Sequence, residues 1–157
     1  MAARWLRVAL FGALALGADS ASALDDLTGV YSGPLACAST TDAESARTKL
    51  DGTVYVDDHG GGNVFLYLNN SLQLFRAAAV SAPETPDQGR LGGPSCSISP
   101  LTGGWLIQAT VKAKGEQASL KGEFVTVGVG AAAHSVQVCR FSMKRISRED
   151  PEFAGCP

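Results

Sequence analysis

Trp105-Leu106-Ile107-Gln108-Ala109-Thr110-Val111-Lys112-Ala113 alternates with a period of two. Trp105, Ile107, Ala109, Val111 and Ala113 fall on one side, and Leu106, Gln108, Thr110 and Lys112 on the other. One apolar face opposed by a mostly polar one is the pattern of a β-strand lying between a core and water. The same reading extends outward in both directions. Residues 28–35, 50–57, 63–69, 72–80, 118–129 and 134–146 read as further strands. In the last of these, Cys139, Phe141 and Met143 oppose Arg140, Ser142 and Lys144. Residues 42–49 are the only stretch that suggests helix, and then one or two turns.

Turn chemistry separates the runs. Asp57-Asp58-His59-Gly60-Gly61-Gly62-Asn63 and Asn69-Asn70-Ser71 each lie between two β-rich segments, and glycine and asparagine tolerate the positive φ that hairpin tips require. The stretch from Ser81 to Ser95 holds Pro83, Pro86, Pro94, Gly89, Gly92 and Gly93, the composition of a long surface loop, with a short strand expected around Cys96. Seven or eight short antiparallel strands in this local order predict a mostly β chain forming a single small up-and-down barrel, with a two-sheet β-sandwich as the alternative. Thr28-Gly29-Val30-Tyr31 resembles the opening strand of lipocalin-like barrels, in which a glycine just ahead of an aromatic sits near the barrel floor. Tyr31 stands where that family usually has tryptophan, and the resemblance implies a barrel.

The N-terminus reads as an export signal. Arg4 and Arg7, an apolar run over residues 8–18, and Ala21-Ser22-Ala23 supply the charged end, the short hydrophobic middle and the small-residue cleavage site of a signal peptide over residues 1–23. The run is shorter than the ~20 residues a membrane-spanning helix needs. Leu35-Ala36-Cys37 is not a lipoprotein site, because Asp25, Asp26 and Pro34 separate it from the apolar run. Residues 24–157 then form one β-barrel domain, located in the periplasm or outside the cell. Without Arg4, Arg7 and Asp19 the formal charge moves from −2 to −3, which argues against nucleic acid as a partner. All four cysteines lie beyond the signal, and an even number in an exported chain implies disulfides. Spacing alone allows three pairings. A closed barrel brings its first and last strands together, which favours Cys37 with Cys139, leaving Cys96 with Cys156 to tie down the C-terminal tail. Their long, unequal spacings do not suit zinc.

No catalytic motif emerges. The only histidines are His59 and His134, and Gly93-Pro94-Ser95-Cys96 is not a nucleophile elbow. Asp57, Asp58, His59 and Asn63 gather cation ligands in one loop but lack the spacing and closing glutamate of a calcium loop. Asp51, Asp57, Glu116 and Glu123 are the carboxylates available for glycoside chemistry. Seven acids between residues 24 and 63 contrast with the basic Arg140, Lys144, Arg145 and Arg148 of the C-terminal strand. Asn69-Asn70-Ser71 is also a glycosylation acceptor sequence.

An eight-stranded barrel is just wide enough to hold a small molecule or to fill itself. Tyr55, Phe65, Tyr67, Phe75, Trp105, Phe124 and Phe141 are the aromatics that line such a cavity or, by default, pack the core, and Tyr55, Tyr67, Trp105 and Phe124 are the candidate ligand-binding residues. The expected function is a soluble, non-enzymatic barrel that binds a small apolar ligand or a protein partner, with no metal, no cofactor and no membrane insertion. A protease inhibitor presenting residues 81–95 is the alternative, and a glycoside or ester hydrolase comes third.

Overall fold

The alternating run that begins at Trp105 forms one stave of a closed barrel. The computed structural model describes residues 24, 26–41, 44–69, 73–96, 105–129, 134–151 and 156; the expected signal peptide lies outside them. The strands are β1 (Gly29–Thr41), β2 (Ser45–Asp58), β3 (Asn63–Leu68), β4 (Gln73–Ser81), β5 (Gln88–Cys96), β6 (Trp105–Lys114), β7 (Gln117–Val129) and β8 (His134–Ser147). Each pairs antiparallel with its neighbour in sequence, and β8 returns to β1, closing an eight-stranded up-and-down barrel. Among the described residues there is no helix.

Strand period decides which side chains fill the barrel. Val54 and Val56 of β2, Val64 and Leu66 of β3, Ile107 and Val111 of β6 and Leu120 of β7 are fully buried. So are the larger Tyr31 and Phe75. Register joins these residues across strands, as in Val56↔Leu66, Ile107↔Phe124 and Val111↔Leu120. Each apolar side chain so buried contributes roughly 1.5–3 kcal/mol relative to exposure.

Antiparallel connection leaves the barrel with two unlike ends. At the floor, Leu24 and Leu27 are buried ahead of β1 and plug the interior. The Leu27 amide donates to Asp58 Oδ2 at 3.1 Å, the Asp58 amide donates to Thr28 Oγ1 at 3.2 Å, and Tyr31 Oη donates to the Leu27 carbonyl at 2.8 Å. Arg145 crosses this floor from β8, its Nη1 donating to Asp26 O at 2.9 Å and its Nη2 to Gly115 O at 2.9 Å. Gly29 makes the entry to β1 possible. It holds φ of 143°, and a Cβ there would lie 2.2 Å from the Ser147 carbonyl, just where the β1–β8 register shifts between Val30 and Tyr31. The opposite end, the mouth, is where β1, β3, β5 and β7 finish and β2, β4, β6 and β8 begin.

Two expectations about local structure need correction. Gln88–Cys96 is the strand β5 rather than loop, so the stretch from Ser81 to Ser95 offers only residues 82–87 as an exposed connection. Pro94, which has no N–H to donate, falls where the β4–β5 register skips from Phe75↔Ser95 to Ala78↔Gly92, and Gly92 and Gly93 fit where β4 and β6 approach closely. Residues 45–49, drafted as helix, open β2 and pair with β1 as far as Ser45↔Thr40. Every residue from Ser45 to Asp51 is exposed, so backbone pairing holds this part of the hairpin without a buried face.

Two cysteine pairs lie at disulfide distance. Cys37 and Cys139 are register partners across the β1–β8 seam with Cα atoms 4.0 Å apart, and Cys96 and Cys156 have Cα atoms 5.4 Å apart.

Candidate functional site

The interior is filled at the floor and middle but not at the mouth. A cavity of about 190 Å³ remains there, bounded by Leu35, Val54, Leu68, Phe124, Met143 and the Cys37–Cys139 pair. Leu50, Thr53 and Gln137 complete its edge. Alternation in β7 turns Phe124 inward, where it is buried beside Phe75 with ring centroids 6.4 Å apart. Trp105, at the mouth end of β6, stacks on Phe124 with centroids 6.2 Å apart and planes inclined by 13°. Phe124 thus forms part of the cavity wall, and Trp105 backs it from the rim.

The four residues singled out for ligand binding therefore divide. Trp105 and Phe124 belong to the interior, whereas Tyr55 and Tyr67 are register partners on the outside of β2 and β3, centroids 6.0 Å apart. Their strand neighbours Val54, Val56, Leu66 and Leu68 point inward, so a period of two sends both tyrosines outward. Of the other aromatics, Phe75 and Phe141 are core, and Phe65 lies outward against His59 with centroids 5.0 Å apart.

Gln73 is the functional candidate that sequence reading missed. It opens β4 beside Leu68, its register partner and a cavity wall, and shares the inward side with Phe75 and Ala77. Only 5% of it is exposed, and its Oε1 has no hydrogen-bond partner among the described residues. A buried acceptor left unmade costs roughly 1–3 kcal/mol, so proteins seldom keep one without a use for it. The available signal was a glutamine in the inward register of a hydrophobic strand.

The other candidate groups do not converge. His59 Nε2 meets Asp57 Oδ2 at 2.8 Å, Asp58 accepts from the Leu27 and Gly60 amides, and Asn63 Oδ1 accepts from Arg76 Nε at 3.4 Å. Among the described residues no three acids, histidines or cysteines gather as metal ligands. Glu116 pairs with Arg148 at 3.1 Å and Glu123 with Arg140 at 3.6 Å, on separate parts of the surface. Asp51 is exposed on β2. Asn69 is exposed at the end of β3, but Asn70 and Ser71 lie outside the described residues.

The described residues around the cavity are mostly apolar, with Thr53 and Gln137 as the polar groups at its edge. No protein-family model, curated protein or solved structure matches this chain.

Proposed function

We propose that this protein is an exported, non-catalytic barrel that holds a small apolar molecule, one ring or two fused rings in size, in the cavity at its mouth. The observation that carries the reading is a largely apolar void of about 190 Å³; Gln73 Oε1, an acceptor unpartnered among the described residues, lies outside its lining but next to it, across from the lining residue Leu68. A dry engineered cavity of ~150 Å³ accepts benzene, whereas drug-sized ligands occupy ~300–1,000 Å³. The cavity therefore fits a ring compound, and a ring whose N–H or O–H reaches past Leu68 satisfies Gln73. Export is supported by the signal-like N-terminus and by two cysteine pairs at disulfide distance, which persist in a non-reducing compartment.

Calorimetric titration of the exported protein with indole and with indene, the same shape without the N–H, tests this. Both should bind saturably, with indole about ten-fold tighter because it alone pairs the buried oxygen. The variant Leu68→Phe, which fills the cavity, should remove binding of both. Absence of saturable binding by either ring, or binding unaffected by Leu68→Phe, would refute the cavity reading.

A further inference from the structure

The outer face of β5–β8 is charged against the sign of the whole chain. Strand parity sends Arg90, Lys112, Lys114, Lys121, Arg140 and Lys144 outward on these four strands, where Glu123 is the only acid among the described outward strand residues; Asp87 and Glu116, in the flanking turns, border the floor end of the face beside Lys112, Lys114 and Lys144. Glu123 is already engaged, accepting from Gln108 Nε2 at 2.8 Å and pairing with Arg140 at 3.6 Å. Arg90, Lys112, Lys114, Lys121 and Lys144 have no carboxylate partner among the described residues. A chain with a formal charge of −2 thus presents a strongly cationic side.

Register arranges this face in bands from floor to mouth. Lys112, Ser119 and Lys144 form one cross-strand row; Arg90, Thr110, Lys121 and Ser142 form the next; Gln108, Glu123 and Arg140 form the third. Toward the mouth the row becomes Pro94, Leu106, Val125 and Val138, followed by Val127 beside Val136. Leu106, Val127 and Val136 are 54%, 39% and 45% exposed. Between the cations lies a shallow, open groove of about 770 Å³ bordered by Val80, Arg90, Lys121, Glu123 and Arg140, where the register partners Ala78 and Gly92 carry almost no side chain.

We infer that the β5–β8 face docks the barrel on an anionic lipid bilayer. The cationic rows meet the headgroup phosphates, with Arg90, Lys121 and Arg140 bordering the groove beside them, and the apolar band at the mouth sinks to the headgroup–acyl boundary. A soluble polyanion would use the cations but leave Leu106, Val127 and Val136 in water, whereas a charged bilayer uses both bands of the same face. Each lysine or arginine brought to an anionic surface strengthens partitioning about five-fold. The inference stands apart from the cavity reading, although docking by this face would set the mouth at the membrane surface.

The test is co-sedimentation of the exported protein with vesicles of equal parts phosphatidylglycerol and phosphatidylcholine, and with pure phosphatidylcholine. Binding should require phosphatidylglycerol and weaken steeply between 50 and 500 mM salt, conditions chosen to span about 14 to 4 Å of screening length. The triple variant Lys112→Gln, Lys121→Gln, Lys144→Gln should bind roughly a hundred-fold less. Leu106→Ser with Val136→Ser should also weaken binding at constant charge. These exposed substitutions leave the core intact, which far-UV circular dichroism verifies, and all variants share the wild-type N-terminus. Failure of the folded wild type to sediment with anionic vesicles overturns the proposal, as does retention of full binding by the triple variant. Unchanged binding by the Leu106/Val136 variant, with equal affinity for soluble polyphosphate, assigns the face to a polyanion instead.

Discussion

Arg145 and Tyr31 are register partners at the β1–β8 seam, and together they lock the closed end of the barrel. The arginine Nη1 reaches the Asp26 carbonyl, while Nε and Nη2 reach Glu116 at 3.2 and 3.0 Å. One guanidinium thus ties the segment before β1 to the turn between β6 and β7, two parts of the chain that share no strand pairing.

Arg145→Met should therefore destabilise the fold by about 2–4 kcal/mol, because several carbonyls lose a charged donor at once. Arg145→Lys should recover less than half of that loss. A single ammonium lacks the planar fork that serves both segments. Urea midpoints at neutral pH measure both values, and a midpoint for Arg145→Met within error of wild type would show that the floor is held by Leu24 and Leu27 alone.

Tyr31 makes the same region sensitive to alkali. Burial raises its phenol to about 12, against an ordinary value of 10, despite the opposing charge of Arg145. The folded state thus binds the phenolic proton more tightly than the unfolded chain does. This contribution is fully present below pH 10 and is lost as the pH climbs through 12, amounting to roughly 3 kcal/mol at the top of that window. Tyr31→Phe should cost about 1 kcal/mol at pH 8 by removing the bond to Leu27 O. Between pH 10 and 12 the gap between the two proteins should close and then reverse, which urea midpoints measured across that range would reveal.

Legibility of the fold followed the burial of strand faces. β6 and the end of β8 could be read directly because Ile107, Val111, Phe141 and Met143 face the core while their neighbours face water. The start of β2 could not, since Ser45 to Asp51 are exposed on both sides and carry no alternation. β5 was hidden by Gly89, Gly92, Gly93 and Pro94, residues that fit a crowded wall but signal a loop when read alone. At the site, Phe124 was legible from alternation. Tyr55 and Tyr67 were not, because both sides of Val54-Tyr55-Val56 and Leu66-Tyr67-Leu68 are apolar and local sequence cannot tell inside from outside. Gln73 was overlooked because a polar residue at a strand start ordinarily marks its wet end.

The Cys37–Cys139 pair should matter more to stability than the Cys96–Cys156 pair. It closes a loop of 102 residues against 60 and joins the two strands whose pairing shuts the barrel. Replacing both of its cysteines by serine should cost about 4–5 kcal/mol on the loop-entropy scale. The equivalent change at Cys96 and Cys156 should cost less, since Cys96 lies at the end of β5 and Cys156 follows the last strand. Urea midpoints of the two double variants rank them, and non-reducing mass analysis of the wild type should find four hydrogens fewer than the fully reduced chain. Detection of free thiols in the folded wild type would contradict both parts.

Gln73 should trade stability against recognition. Its Oε1 is buried without a partner among the described residues, so Gln73→Leu, which keeps the volume and removes the polar group, should leave stability unchanged or raise it by about 1 kcal/mol. Substitution in a packed interior normally moves the midpoint the other way. The same variant should bind indole and indene equally well, because nothing is left to discriminate the N–H. Gln73→Ala is the contrasting control: it also removes the acceptor, but it leaves space beside Leu68 and should lower the urea midpoint. A loss of stability in Gln73→Leu comparable to that in Gln73→Ala would mean that the amide is bonded in solution, and the preference for a donor-bearing ring would then lose its basis.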